Sequence, residues 1–128
     1  MKHLLIVEDD PDHRLILRTM FEAEGYQCEE AMDGQGALSI LSTDQVGLVL
    51  TDLNMPRMNG IQFLTELRQD PLLKKTIVFV LTTSKRDEDK AEAYDLNVAG
   101  YIVKETAGHD FLELIGMVDN YWRLVELP

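Results

Sequence analysis

Apolar and polar residues follow one another along this chain in blocks rather than singly. Short apolar runs lie within residues 4–7, 46–51, 76–81 and 100–104, and charged or turn-forming residues follow each one. Between these runs the apolar positions fall three or four apart. That is the pattern of strands covered on both faces, joined by helices that each bury one stripe. The run at 4–7 stops at Glu8, Asp9 and Asp10. Asp10 suits a helix N-cap, with Pro11 at the first helical position and Asp12 in the first turn. Leu15, Ile16, Met20 and Ala23 continue that helix, and Gly25 closes it. Residues 26–31 alternate as a second strand. Asp33-Gly34 reads as a turn, and Ala37, Leu38, Ile40 and Leu41 as a short helix ending near Ser42.

Residues 46–51 form the central strand, and residues 76–81 the strongest one. Ile61, Leu64 and Leu67 mark a third helix that Asp70-Pro71 ends. After a charged stretch at 85–90, Ala91, Ala93 and Tyr94 carry a fourth helix to near Asn97, with Tyr94 read as a packing residue. Residues 100–104 make a fifth strand. Phe111, Leu114, Ile115, Val118, Tyr121 and Trp122 mark a last helix, and Leu112, Met117, Leu124 and Val125 widen its apolar stripe. Regular alternation of this kind implies an α/β layer fold with a parallel sheet, because parallel strands need a crossover and a helix supplies it. Right-handed crossovers then place every strand's C-terminal end on one edge.

Composition narrows the partners. The chain has 128 residues, 45% of them hydrophobic, which suits one domain over residues 1–128 with a single core. Its formal net charge is −11, from 23 acidic and 12 basic residues, and this disfavours DNA, RNA and anionic membrane. The one cysteine, Cys28, cannot form an internal disulfide and reads as a small buried strand residue. The start is no signal peptide, no apolar run approaches the roughly 20 residues that span a bilayer, and the expected location is the cytoplasm. His3, His13 and His109 have no ligand-pair spacing and read as surface residues. Met55 and Met58 read as packing.

The chemistry gathers at the strand ends. Strand one ends in Glu8 and Asp9, strand three in Asp52, strand four in Thr82 and strand five in Lys104. In open α/β sheets the ligand site lies beyond those ends. Clustered carboxylates repel, and a hard cation such as Mg2+ relieves that repulsion. Lys104 adds a point charge suited to a phosphoryl oxygen, and Thr82 a hydroxyl. Such a set suits transfer of phosphate to an aspartate.

These residues resemble the receiver domain of two-component response regulators, the CheY-like fold. The resemblance rests on Leu5-Ile6-Val7-Glu8-Asp9-Asp10-Pro11, on the segment from Thr51-Asp52-Leu53-Asn54-Met55-Pro56 to Asn59-Gly60, on Leu81-Thr82-Thr83-Ser84 and on Gly100-Tyr101-Ile102-Val103-Lys104. It implies a doubly wound (βα)5 fold with strand order 2-1-3-4-5. It also implies Asp52 as phosphoacceptor from a sensor histidine kinase or a histidine phosphotransfer protein. Asp9, Asp52 and the Asn54 backbone carbonyl would bind Mg2+, with Glu8 acting through water. Thr82 and Lys104 would hold the phosphoryl group, and Thr82 and Tyr101 would form the switch. Asn54 and Ser84 would tune a slow self-dephosphorylation. The implied role is a signalling phosphoacceptor without an output domain.

Leu81-Thr82-Thr83-Ser84, Glu88-Asp89, Tyr94-Asp95-Leu96 and the tail from Tyr121 to Pro128 further resemble single-domain regulators that partner bacterial phytochromes. That subgroup implies a homodimer through the last helix and tail. The chain leaves its family at Glu105, where Pro usually follows the Lys. A cis bond before a non-Pro residue costs roughly 2.5–4 kcal/mol. The expectation is a trans peptide with a displaced loop or a strained cis one, with an added negative charge beside Lys104.

Three other readings compete. A Mg2+-dependent phosphatase of the haloacid-dehalogenase type needs an acid where this chain has Asn54. A flavodoxin-like mononucleotide binder needs a phosphate cradle where it has Glu8-Asp9-Asp10. A phosphorylation-independent scaffold has only Glu105 in its favour, since the site residues are all present.

Overall fold

The computed structural model describes residues 2–105 and 111–125. The loop after Glu105, His109 and the tail at 126–128 lie outside the described residues. Strands and helices alternate as β1 (His3–Val7), α1 (Pro11–Ala23), β2 (Gln27–Ala31), α2 (Gly34–Thr43), β3 (Leu48–Thr51), α3 (Gly60–Gln69), β4 (Ile77–Thr82), α4 (Asp87–Asp95), β5 (Gly100–Val103) and α5 (Leu112–Leu124). The five strands form one sheet in the order β2-β1-β3-β4-β5, with each neighbouring pair parallel. The parallel sheet is the one expected from the alternation, and the doubly wound order is the one the family resemblance implies.

The pleat divides the core in two. Leu4, Ile6, Leu48, Leu50, Phe79 and Leu81 point to one face and pack with Leu17, Phe21, Leu114, Ile115 and Val118 of α1 and α5. Leu5, Val7, Val49, Val78 and Val80 point to the other and pack with Ala37, Leu41, Phe63, Leu64, Leu67 and Ala93 of α2, α3 and α4. Adjacent strand residues are therefore apolar on both faces, which is why the runs read as continuous rather than alternating. Cys28 is buried, and burial pushes its thiol up to about 11, so it packs as an unreactive apolar group.

The helix starts follow their caps. Asp10 caps α1, accepting from the amides of Asp12 and His13. Asp33-Gly34 is not a free turn: Asp33 caps α2 and Gly34 is its first residue. Asn59 and Gln62 close α3 with a reciprocal capping box. The charged stretch supplies α4 with Asp87, Glu88 and Asp89 in its first turn, where the helix dipole favours acids. Ala93 is the one residue of α4 that is buried, and Tyr94 is 45% exposed, so Tyr94 is a surface residue rather than a packing one. On α5, Met117, Tyr121 and Trp122 fold back onto the core, while Leu124 is 81% and Val125 40% exposed. The apolar surplus at this helix is smaller than its sequence suggests. Among the described residues, no helix is long and apolar enough to cross a membrane.

The turn after β3 packs closely on its own strand end. A Cβ on Gly60 would lie 2.4 Å from the carbonyl oxygen of Asp52 and 2.7 Å from the Cα of Leu53. Both are backbone atoms and cannot swing aside. On α5, a Cβ on Gly116 would meet nothing within 4 Å. The two glycines therefore respond oppositely to the same change. In equilibrium urea unfolding, Gly60→Ala lowers stability by about 1–3 kcal/mol. Gly116→Ala raises it by about 0.5–1 kcal/mol.

Candidate functional site

The sheet register sets the site. Val7 pairs with Thr51, so the next residues, Glu8 and Asp52, leave adjacent parallel strands side by side. The Asp52 amide bonds to the Val7 carbonyl at 2.9 Å, and the Glu8 amide to the Ala31 carbonyl at 3.0 Å. Thr82 pairs with Val103, and the Lys104 amide bonds to the Thr82 carbonyl at 2.8 Å. The backbone thus delivers the carboxylates and the ammonium to one edge before any side chain turns.

Asp52 is 6% exposed, and its two oxygens have different surroundings. Oδ1 accepts from the Leu53 amide at 2.7 Å and the Asn54 amide at 3.4 Å. Oδ2 lies 3.5 Å from Lys104 Nζ. Glu8 is buried, and its Oε2 stands 2.9 Å from the same ammonium. Its Oε1 accepts from the Asp10 amide at 3.2 Å. Glu8, Asp9 and Asp52 each offer a carboxylate oxygen within 4.8 Å of the others, and Asp9 is the most open of the three.

Electrostatics bear out the crowding. Burial, with the Asp52 charge adding to it, pushes the Glu8 carboxyl up to about 7, against the pull of Lys104. Burial works against the Lys104 charge, but the Glu8 hydrogen bond and the charges of Asp52 and Glu8 outweigh it and raise its pKa. Lys104 is accordingly an ammonium held among acids.

Thr82, Ser84 and Tyr101 form a second linked group. Thr82 is fully buried, and its Oγ1 accepts from the Ser84 amide at 3.3 Å. The Tyr101 hydroxyl donates to the Ser84 carbonyl at 3.1 Å, and Ser84 Oγ donates to Asp89 at 2.6 Å. Tyr101 also packs against the α2–α4 side of the core. This group meets the acidic one through the Lys104 to Thr82 backbone bond. The Asn54 side chain is exposed and only its amide faces Asp52.

The Lys104–Glu105 junction resolves simply. Among the described residues no peptide is cis, so this bond is trans. Glu105 turns outward and pairs with Lys85 at 2.7 Å, so its charge does not sit on Lys104.

Two residues of α1 escaped the reading of the sequence. His13, read as a surface residue, has Nδ1 3.1 Å from Lys104 Nζ. Arg14 donates from Nη1 to the Glu8 carbonyl at 2.7 Å and fixes the end of β1. The available signal was position: both lie in the first turn after the acidic strand end, which overhangs the sheet edge. Arg57 adds a brace from the loop after β3, donating from Nε to the buried Asp33 at 2.7 Å.

Comparison with known proteins agrees with this geometry. The response regulator receiver domain family matches residues 4–116. Response regulator Rcp1 of Synechocystis is 31% identical over 137 residues, covering 99% of this chain and 93% of its own. The crystal structure of the Mn2+-bound form of Rcp1 superposes with a TM-score of 0.88 at 28% identity, over 100% of this chain and 99% of that one. That of a phosphorylated cyanobacterial phytochrome response regulator, RcpA, gives 0.82 at 30% identity, over 99% and 98%. Five parallel strands in this order, acids and a lysine at their shared edge, and a family match across most of the length lead to one conclusion: the chain belongs to the response regulator receiver domain family and is a signalling protein of two-component systems.

Proposed function

We propose that Asp52 is the phosphoacceptor, taking its phosphoryl group from the phosphohistidine of a sensor histidine kinase or a histidine phosphotransfer protein in the cytoplasm. The observation that carries this is the asymmetry of the Asp52 carboxylate. Oδ1 is tied to two backbone amides, while Oδ2 faces Lys104. Oδ2 is the free nucleophile: it forms the new P–O bond as the P–N bond to the donor histidine breaks. Lys104 is placed to take a phosphoryl oxygen as charge moves onto it. Thr82 takes another once its hydroxyl leaves the Ser84 amide, and Tyr101, bonded to the Ser84 carbonyl, follows that motion.

The donor set fits Mg2+. Three carboxylate oxygens within 4.8 Å of one another suit a hard cation. Asp9, Asp52 and the Asn54 carbonyl would hold it, with Glu8 reaching it through water. When bound, it neutralises the acids so that an anionic donor can approach. The resemblance to metal-bound Rcp1 and phosphorylated RcpA supports both halves of this reading.

In this reading the receiver acts as a single domain, and its output is a surface change read by a partner. Its match over 93% of the length of Rcp1 favours that arrangement. A bacterial phytochrome is the kinase type that the RcpA likeness favours. A net charge of −11 argues against DNA as the target. The phosphoryl group is lost slowly to water approaching past Asn54 and Ser84. Exposed Leu124 and Val125 at the end of α5 favour a homodimer through that helix end and the tail.

Incubation with a small phosphodonor and Mg2+ gives an acid-stable, hydroxylamine-labile phosphoryl group on the wild type and none on Asp52→Ala. Lys104→Ala slows labelling by about a hundredfold. A wild type that takes no phosphate from the donor or from a kinase refutes the reading.

Metal affinity follows pH through Glu8. Its folded pKa of about 7 lies above its ordinary value of 4.5. The metal-free folded chain therefore keeps a proton that the unfolded chain has released. The stability it confers is complete below the lower value and is lost as pH rises through the higher one. Mg2+ binding must displace the same proton, so affinity rises with pH up to about tenfold per unit below pH 7. In Mg2+ titrations followed by fluorescence, Glu8→Gln flattens this slope.

Light scattering at micromolar concentration, with and without phosphodonor, gives a dimer, and Leu124→Glu returns it to a monomer. A wild type that is monomeric in both states removes the dimer.

A further inference from the structure

The ammonium of Lys104 has three protons, and each has a partner. Glu8 Oε2 lies at 2.9 Å, His13 Nδ1 at 3.1 Å and Asp52 Oδ2 at 3.5 Å. Two of these partners are the acids expected at such a site. The third is a ring nitrogen from a different element, α1.

His13 is itself held in place. Its backbone amide bonds to the capping Asp10 Oδ1 at 3.3 Å. Its ring meets Phe111 edge-on, with centroids 6.0 Å apart and planes at 84°. Phe111 is 4% exposed, so it makes a fixed wall. Asp10 Oδ2 stands 3.5 Å from the same Nδ1. The ring therefore bridges the first turn of α1, the end of β5 and the start of α5.

The residue after Lys104 does nothing to fix its side chain. The following residue is Glu105, and it leans away to Lys85. A long side chain at a strand end has several rotatable bonds, and its head must be fixed by what it touches.

Resting on Asp52 as phosphoacceptor, we infer that His13 is a positioning residue. Its Nδ1 lone pair accepts a hydrogen bond from the Lys104 ammonium and holds Nζ over Asp52 Oδ2.

The chemistry sets the tautomer. An ammonium has protons to give and no lone pair to accept with. The nearer contact of Nδ1 is the ammonium at 3.1 Å, so on this assignment Nδ1 is left bare and the ring proton sits on Nε2 rather than between Nδ1 and Asp10 Oδ2 at 3.5 Å. The distances also say which contact is exchanged. The longest of the three runs to Asp52 Oδ2, the atom that receives phosphate. Lys104 can turn that proton to a phosphoryl oxygen while Glu8 and His13 keep the other two. His13 thus does not compete with the substrate.

Long-range 1H–15N correlation spectra of the full chain, metal-free at pH 7.5, test the tautomer. His13 gives the Nε2–H pattern, and Lys104→Met releases it to the mixture of an unbonded histidine. A proton on Nδ1 in the wild type overturns the inference. Phosphorylation rates with a small phosphodonor and Mg2+ test the consequence. His13→Ala slows the reaction on the order of tenfold, the kinetic equivalent of one charge-assisted hydrogen bond. His13→Asn, whose Oδ1 falls close to the site of Nδ1, recovers most of that loss. In a Lys104→Ala background, His13→Ala has no further effect. Equal rates for the Ala and Asn variants, or losses that add in the double variant, overturn it. Should the wild type take no phosphate, the phosphoacceptor reading falls, and the tautomer alone decides whether His13 holds Lys104.

Discussion

One ammonium among three carboxylates is the constraint on which this molecule turns. Glu8, Asp9 and Asp52 are brought together by strand register, not by attraction, and two of them are buried. Burying charge of one sign is unfavourable unless something opposite comes with it. Lys104 is that opposite charge, and it reaches Glu8 and Asp52 at once. The sheet must therefore keep β5 beside β4, and β4 beside β3, for the acids at β1 and β3 to be tolerable. Fold and site share one set of contacts.

The strand ends were legible because their chemistry is abrupt. An apolar run that stops at a carboxylate or an ammonium announces itself, and Asp52, Thr82 and Lys104 lie where such stops place them. Glu8 and Asp9 are equally plain. Less legible was anything settled by direction in space. Asp33-Gly34 has the composition of a turn, yet the same residues serve as cap and first turn of a helix, and only the Gly36 amide distinguishes the two. Tyr94 looks apolar enough to pack, but α4 buries Ala93 and leaves the tyrosine outside. Glu105 is adjacent to Lys104 in sequence and still points elsewhere. His13 meets a partner 91 positions away, a relation that no local pattern encodes.

The site has two halves with different characters. The acidic half is built of charges whose balance depends on what binds. The half made by Thr82, Ser84 and Tyr101 is held by hydrogen bonds among its members and by one from Ser84 to Asp89. A backbone bond at the β4–β5 boundary joins them. The two halves are therefore joined through the sheet itself, at the register that sets Thr82 beside Val103.

Strand order also bears on how the newborn chain matures. Translation delivers Glu8 and Asp9 early, Asp52 midway and Lys104 late. A ribosome-bound chain thus presents its acids before their counter-charge exists. Until β5 docks on β4, the acids at the sheet edge repel one another with no ammonium beside them. Closure of the sheet and neutralisation of its acidic edge therefore arrive in the same event.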